Sequence, residues 1–362
     1  MTSNPLPWSS SRLEGCTLTG AVSVTTEVTD GLTIIHGPSG CAQHNASLIH
    51  ATLLGADTPH LARVLTSDLD EAGVIFGGEE PLASTIAEAA REDPAVIFVL
   101  STCVVQAIGD DVEGVSGREW GVPVVPVPSS GFLGGGFQDG MRNALIALGD
   151  QAPAEDPREG GICLVGEKNL EDDVDENFRE VSRLLGLLGE KPSLRFVRGM
   201  EWAEMEGLAR GRLNILREPE LREVGEAFAG RSGTPYIDSF PVGISGSLRF
   251  LEDAGRILGI DPAGAVAEER DRQEDALGRF GDLRGERVRV SSPAGPIAPF
   301  VGEVADALGL SIGDEGIPVP LPSPLPVGTG GLVRLLHRWR RAIRASDTER
   351  SLPAGKEDVR AH

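Results

Sequence analysis

Cys16, Cys41 and Cys103 each stand at a glycine-marked turn in the first third of the chain. Two of them follow an apolar, β-rich run directly. Leu32-Thr33-Ile34-Ile35 breaks into His36-Gly37-Pro38-Ser39-Gly40-Cys41 ahead of a helical stretch expected from Ala42 to Leu54. Ala95 to Leu100 leads in the same way through Ser101-Thr102-Cys103 into an apolar turn of helix. In an open parallel sheet, ligands collect beyond the carboxyl ends of the strands, where helix N-termini present free N–H groups. Such groups favour thiolate, the form that binds iron or zinc. Cys16, in Gly15-Cys16-Thr17-Leu18-Thr19-Gly20-Ala21, is expected in a less regular segment folded over the same crevice.

Cysteine is also a small apolar residue that is often simply buried, and no CxxC pair strengthens the metal reading. Cys163, inside Gly161-Ile162-Cys163-Leu164-Val165-Gly166, is read as a strand residue of the core. Gly37, Gly40, Gly77 and Gly78 permit left-handed turns or close approach of backbone to a bulky cluster, and equally fit ordinary loops. His36 is placed to hydrogen-bond a cluster sulfur or to cap the end of its strand, and the second role is preferred. Asp110 and Asp111 are expected in the first turns of a helix, where carboxylates are favoured.

The elements that must position these residues alternate between strand and helix. Strands are expected at Leu32–Ile35, Val74–Phe76, Val96–Leu100 and Val122–Val127, giving a doubly wound sheet over residues 1–150. A linker is expected at 151–161. A second βα series over 151–264 follows, with strands at Ile162–Val165, Leu213–Leu216 and Tyr236–Phe240, and helices at 172–188 and 243–259. A reduced third α/β region covers 265–345: a charged helix, a strand at Arg287–Val290, a helix at 298–308, a proline-rich strap at 317–326 and a final helix at 331–344. Residues 346–362 are expected to be a disordered tail. The fold class is therefore α/β, with repeated Rossmann-like parallel-sheet domains and a shortened third.

Composition narrows the function. Aromatics make up 4% of the 362 residues, so the core is built from Val, Leu, Ile and Ala, as suits sheets buried on both faces. The net charge of −22 argues against a nucleic-acid surface, although a salt-adapted host would give the same acidity. No apolar run reaches the roughly 18 residues of a membrane span, and the N-terminus has no signal-peptide pattern. A cytoplasmic protein with reduced cysteines is expected.

Several segments, in order, carry a family resemblance. They are Gly15 to Ala21, Ile35 to Cys41, Thr66-Ser67-Asp68-Leu69-Asp70-Glu71, Phe76-Gly77-Gly78-Glu79, Ser101-Thr102-Cys103 and Ile108-Gly109-Asp110-Asp111. Together they resemble the nitrogenase component 1 family, which includes molybdenum-iron protein subunits, cofactor-assembly scaffolds, protochlorophyllide reductase subunits and the nickel-tetrapyrrole reductive cyclase. The resemblance implies that Cys16, Cys41 and Cys103 are ligands of an iron-sulfur cluster, 4Fe-4S or larger, at an interface with a homologous second subunit. A cubane takes four ligands, so the fourth is expected from that chain, an Asp or solvent. It further implies electrons from an ATP-dependent iron protein, no nucleotide on this chain itself, and a small-molecule or tetrapyrrole substrate. Glu71 and Glu79 resemble positions near the docking side, although a solvated surface role is preferred. Residues 130–137 resemble the segment opening the helix that ends the first domain. No counterpart of the cysteine and histidine that hold the molybdenum cofactor is found, and the last third is short. A non-catalytic scaffold or structural partner subunit is the alternative to a reductase.

Overall fold

In the computed structural model the described residues are 15–55, 62–131, 135–153, 160–171, 173–291, 297–322 and 325–351. The chain forms two compact units, one of residues 1–174 with 191–240, the other of 175–190 with 241–362.

The first unit begins with α1 (Thr17–Thr25), β1 (Gly31–His36), α2 (Ser39–Gly55), β2 (Val64–Thr66), α3 (Glu71–Phe76), α4 (Glu79–Ala90), β3 (Val96–Ser101), α5 (Cys103–Ile108), α6 (Val112–Ser116), β4 (Val124–Val127) and α7 (Phe137–Gly149). Its strands lie in the order β2-β1-β3-β4, all parallel. Every residue of β1 is buried, because the sheet is covered on both faces. Successive side chains of a strand point to opposite faces. Leu32, Ile34, Ile97 and Val99 accordingly join one apolar cluster, and Ile35, Phe98 and Leu100 another.

The chain continues through β5 (Ile162–Val165), α8 (Val174–Leu187), β6 (Pro192–Phe196), α9 (Met205–Ala209), β7 (Leu213–Leu216), α10 (Arg222–Ser232) and β8 (Tyr236–Ile237). These strands form a second parallel sheet, β6-β5-β7-β8, in the same unit. Both sheets reverse strand order between two central strands, β1 and β3 in the first and β5 and β7 in the second. Such switch points are where open α/β sheets bind ligands.

The second unit holds most of α8, then α11 (Gly243–Leu258), α12 (Ala263–Gly278), β9 (Arg287–Ser291), α13 (Ile297–Leu308), β10 (Ser311–Ile312), β11 (Ile317–Pro320) and α14 (Gly328–Ser351). Its sheet, β10-β9-β11, is small and parallel. The fully buried Trp339 of α14 donates from Nε1 to the Pro320 carbonyl at 2.8 Å.

Three local expectations are corrected. Val74-Ile75-Phe76 is not a strand but the end of α3, whose N-cap Asp70 accepts from the Gly73 N–H. The second strand of the sheet is the short β2 instead. The proline-rich strap begins as strand β11: Ile317 and Val319 are buried, Pro318 and Pro320 exposed, so the prolines occupy the outward positions of a period-2 pattern on an edge strand. Helix α14 continues to Ser351, into the expected disordered tail; residues 352–362 lie outside the described set, as do 154–159 of the expected linker and 132–134 of the glycine-rich loop.

Candidate iron-sulfur site

The three cysteines mark helix starts beside the first switch point. Cys103 is the first residue of α5, and the Thr102 N–H before it donates to the His36 carbonyl at 3.0 Å, tying the ends of β3 and β1 together. Cys41 is the third residue of α2 and its N–H donates to the Pro38 carbonyl at 3.1 Å. Cys16 is the N-cap residue of α1, with its Sγ 3.6 Å from Thr19 Oγ1. The segment after Cys16 is thus a regular helix, not an irregular flap, and all nine of its residues are buried. Cys16 and Cys103 are exposed and Cys41 is half-buried; none forms a disulfide.

The thiol of Cys41 is pushed up from its ordinary pKa first by burial, then by the negative charge of the Cys16 thiolate and of the Cys103 thiolate. The three sulfurs are therefore electrostatic neighbours. The shift runs opposite to the thiolate-favouring effect expected at a helix N-terminus, because desolvation and mutual repulsion outweigh it. A metal would reverse that balance, since its positive charge holds the thiolate form.

The donor set suits an iron-sulfur cluster. Among the described residues no group of three or more His, Cys, Asp or Glu is spaced to hold a single metal ion. A cluster differs, because its cysteines bind different iron atoms and stand farther apart than ligands of one ion. Buried hydroxyls at Thr17 and Thr102, each next in sequence to a cysteine, have no hydrogen-bond partner among the described residues. Cys163 lies in β5, buried, with its thiol held protonated by burial, and stands apart from the trio.

The neighbouring glycines divide by cause. Gly37 has φ +149°, and a Cβ there would sit 2.1 Å from Thr102 Oγ1. Gly77 has φ +101°, and a Cβ on Gly78 would fall 2.5 Å from Asp110 Oδ2 and 2.9 Å from His36 Cε1. Gly37 and Gly78 are required by their protein neighbours, and Gly77 by its left-handed backbone. A Cβ at Gly40 would meet no atom within 4 Å, leaving open space one residue before Cys41.

His36 is fully buried, with Nδ1 2.7 Å from Ser67 Oγ and Nε2 3.1 Å from Asp110 Oδ2. The Gly37 N–H donates to Ser67 Oγ at 3.0 Å, and the Gly78 N–H donates to both oxygens of Asp110 at 3.0 Å. This assigns the Ser67 hydroxyl as donor to Nδ1 and Nε2–H as donor to Asp110. His36 is a strand-end anchor joining the Gly37 turn to the Gly78 turn. Asp110 lies between α5 and α6 rather than in a helical turn; Asp111 is the N-cap of α6, accepting from the Gly114 N–H. Glu71 is exposed in the first turn of α3, and Glu79 Oε1 accepts from the Asp111 N–H at 3.3 Å.

Three features escape a reading of sequence. Ser67 is one; its place in the Thr66 to Glu71 motif was the available signal. A second is the contact of α1 with α7 through Gly20 and Gly140, neither of which has room for a side chain. The third is the exposed run Val74, Ile75 and Phe76, at 38%, 73% and 87%. Large apolar groups left bare in a cluster mark an interaction surface.

A profile of the nitrogenase component 1 type oxidoreductases matches residues 16–309. The chain belongs to that family. It is 28% identical over 309 residues to the nitrogenase iron-molybdenum cofactor biosynthesis protein NifE of Clostridium pasteurianum, covering 82% of this chain and 64% of that one. To the NifE of a Nostoc species it is 29% identical over 289 residues, 76% of this chain and 59% of that protein. To the nitrogenase molybdenum-iron protein alpha chain of Methanothermobacter marburgensis it is 28% identical over 324 residues, covering 82% and 67%. Among solved structures, a chain described as nitrogenase Cp1 at pH 6.5 superposes with a TM-score of 0.64 at 22% identity over 86% of this chain and 62% of that chain, a likeness of fold. The chain thus spans about three fifths to two thirds of the length of these relatives.

Proposed function

We propose that this chain is an iron-sulfur subunit of a metallocofactor-assembly complex, with Cys16, Cys41 and Cys103 holding a 4Fe-4S or larger cluster at an interface with a homologous second subunit. The reading is supported by the placement of the three cysteines at helix starts, Cys41 and Cys103 directly after the two strands of the first switch point, with Cys16 and Cys103 both near enough to raise the pKa of the Cys41 thiol. Three thiols fall one short of a cubane's ligands, which is the reason for a partner that completes the set. Similarity to proteins named for cofactor biosynthesis favours assembly over turnover. A bound cluster supplies one-electron redox chemistry. The chain contributes the thiolates, the Gly37 turn that His36 and Ser67 hold in place, and a site open to solvent at two of three cysteines.

A second reading, a reductase fed by an ATP-dependent iron protein and acting on a small molecule or tetrapyrrole, is favoured by the bare Val74-Ile75-Phe76 face beside the Gly77-Gly78 turn. That face has the character of a docking surface for a protein. Anaerobic purification with iron and sulfide analysis tests the shared premise: the wild-type chain carries iron, and Cys41→Ser and Cys103→Ser each lose it. Retention of the full iron content by both variants overturns it. Addition of an iron protein with ATP and a tetrapyrrole then separates the readings. Turnover selects the reductase, and transfer of an intact cofactor to an acceptor protein without turnover selects the assembly role.

A further inference from the structure

Gly37 opens the turn that carries Cys41, and both of its backbone polar groups are taken by one loop, residues 66–69. Its N–H donates to Ser67 Oγ at 3.0 Å, and its carbonyl accepts from the Leu69 N–H at 3.0 Å and from Thr66 Oγ1 at 3.4 Å. The Cys41 N–H then closes the turn on the Pro38 carbonyl at 3.1 Å. Gly37 has φ +149°, a conformation that favours glycine, and glycine loses the most freedom on ordering. With no side chain to pack, it is held by these hydrogen bonds.

Ser67 is itself fixed. Thr66 pairs with Ile35 in the ladder, the Ser67 N–H donates to the Ile35 carbonyl at 3.2 Å, and Ser67 is buried. Its hydroxyl has a single proton, which goes to His36 Nδ1 at 2.7 Å because Nε2–H is engaged by Asp110. A lone pair is left for the Gly37 N–H. Removing the hydroxyl would strand that N–H and the ring nitrogen in a buried place, whereas threonine keeps a hydroxyl for both.

We propose that Ser67 is a positioning residue for Cys41: by fixing the Gly37 N–H, it sets where the Cys41 sulfur stands toward the cluster. The inference rests on the reading of Cys41 as a cluster ligand. Cys16, at the head of α1, shares none of these hydrogen bonds and so serves as an internal reference.

Two measurements on the full chain test it. In iron-free protein, iodoacetamide labelling at one fixed pH, read by peptide mass spectrometry, gives the ratio of the Cys41 rate to the Cys16 rate. Ser67→Ala raises that ratio about fivefold, the population change for one lost hydrogen bond, and Ser67→Thr keeps the wild-type value. In iron-loaded protein, Ser67→Ala gives up iron to a chelator about fivefold faster than wild type, and Ser67→Thr does not. Circular dichroism confirms folding; should Ser67→Ala not fold, Ser67→Cys, similar in size but a weak donor and acceptor, takes its place. An unchanged ratio in the folded variant, Cys41 and Cys16 accelerating together, no rescue by threonine, or unaltered iron release overturns the proposal. A wild-type chain that carries no iron overturns the cluster reading instead, and the labelling ratio still decides whether Ser67 positions Cys41.

Discussion

Gly20 and Gly140 make a reciprocal contact between α1 and α7: a Cβ on Gly20 would lie 1.9 Å from the Phe137 carbonyl oxygen, and one on Gly140 would lie 1.7 Å from that of Thr17. Backbone touches backbone at this crossing, and α1 carries Cys16 at its head. Gly140→Ala therefore forces the helices apart. Overpacking of this kind costs about 1–3 kcal/mol. Denaturant unfolding should show that loss, and the iron content of folded Gly140→Ala should fall below wild type as Cys16 is displaced. Unchanged stability would show that the crossing yields freely.

The His36 imidazole is held below its ordinary pKa by burial, which the Asp110 carboxylate only partly offsets. A base whose pKa is depressed on folding gives stability that is complete above the unfolded value, near 6.5, and declines as pH falls toward the folded value. The unfolded chain takes up a proton there while the native state resists. His36→Gln should flatten the fall in stability between about pH 6.5 and 5.5, by at most about 1.4 kcal/mol per pH unit. Urea midpoints for both proteins across that range measure it. Parallel curves would count against the assignment.

In iron-free protein, Cys41 should be the slowest of the trio to react with iodoacetamide near pH 8, since burial and two neighbouring thiolates raise its pKa. Replacing Cys16 and Cys103 by serine removes the repulsion and lowers that pKa. Alkylation of Cys41, followed by peptide mass spectrometry, should then speed up. A rate indifferent to the double replacement would mean that the sulfurs do not sense one another.

Cys163→Ala separates core from site. The side chain is buried in β5 and its thiol is held protonated, so the variant should lose on the order of 1 kcal/mol and keep all its iron. Iron loss in a folded Cys163→Ala protein would demand a revised ligand set.

Much of the site is legible because cysteine position follows from strand ends. Leu32 to Ile35 and Val96 to Leu100 are long enough and apolar enough to announce β1 and β3, and the turns after them place Cys41 and Cys103. Less is legible where local signals mislead. Val74-Ile75-Phe76 has strand composition but is α3, since a short apolar run does not declare its period and Asp70 caps a helix there. The Thr- and Val-rich α1 reads poorly as a helix because β-branched residues have low helix propensity; burial against α7 imposes the conformation. Ser67 and Gly140 owe their roles to residues about 30 and 120 positions away, which no local pattern encodes.

The alternation of Ile317-Pro318-Val319-Pro320 has one more consequence. A strand with open backbone groups is a template on which other polypeptides polymerise. At the rim of the small third sheet, Pro318 and Pro320 have no N–H to offer an incoming strand, so β11 ends the ladder chemically as well as topologically. The small third sheet thereby keeps an edge strand without inviting fibre growth.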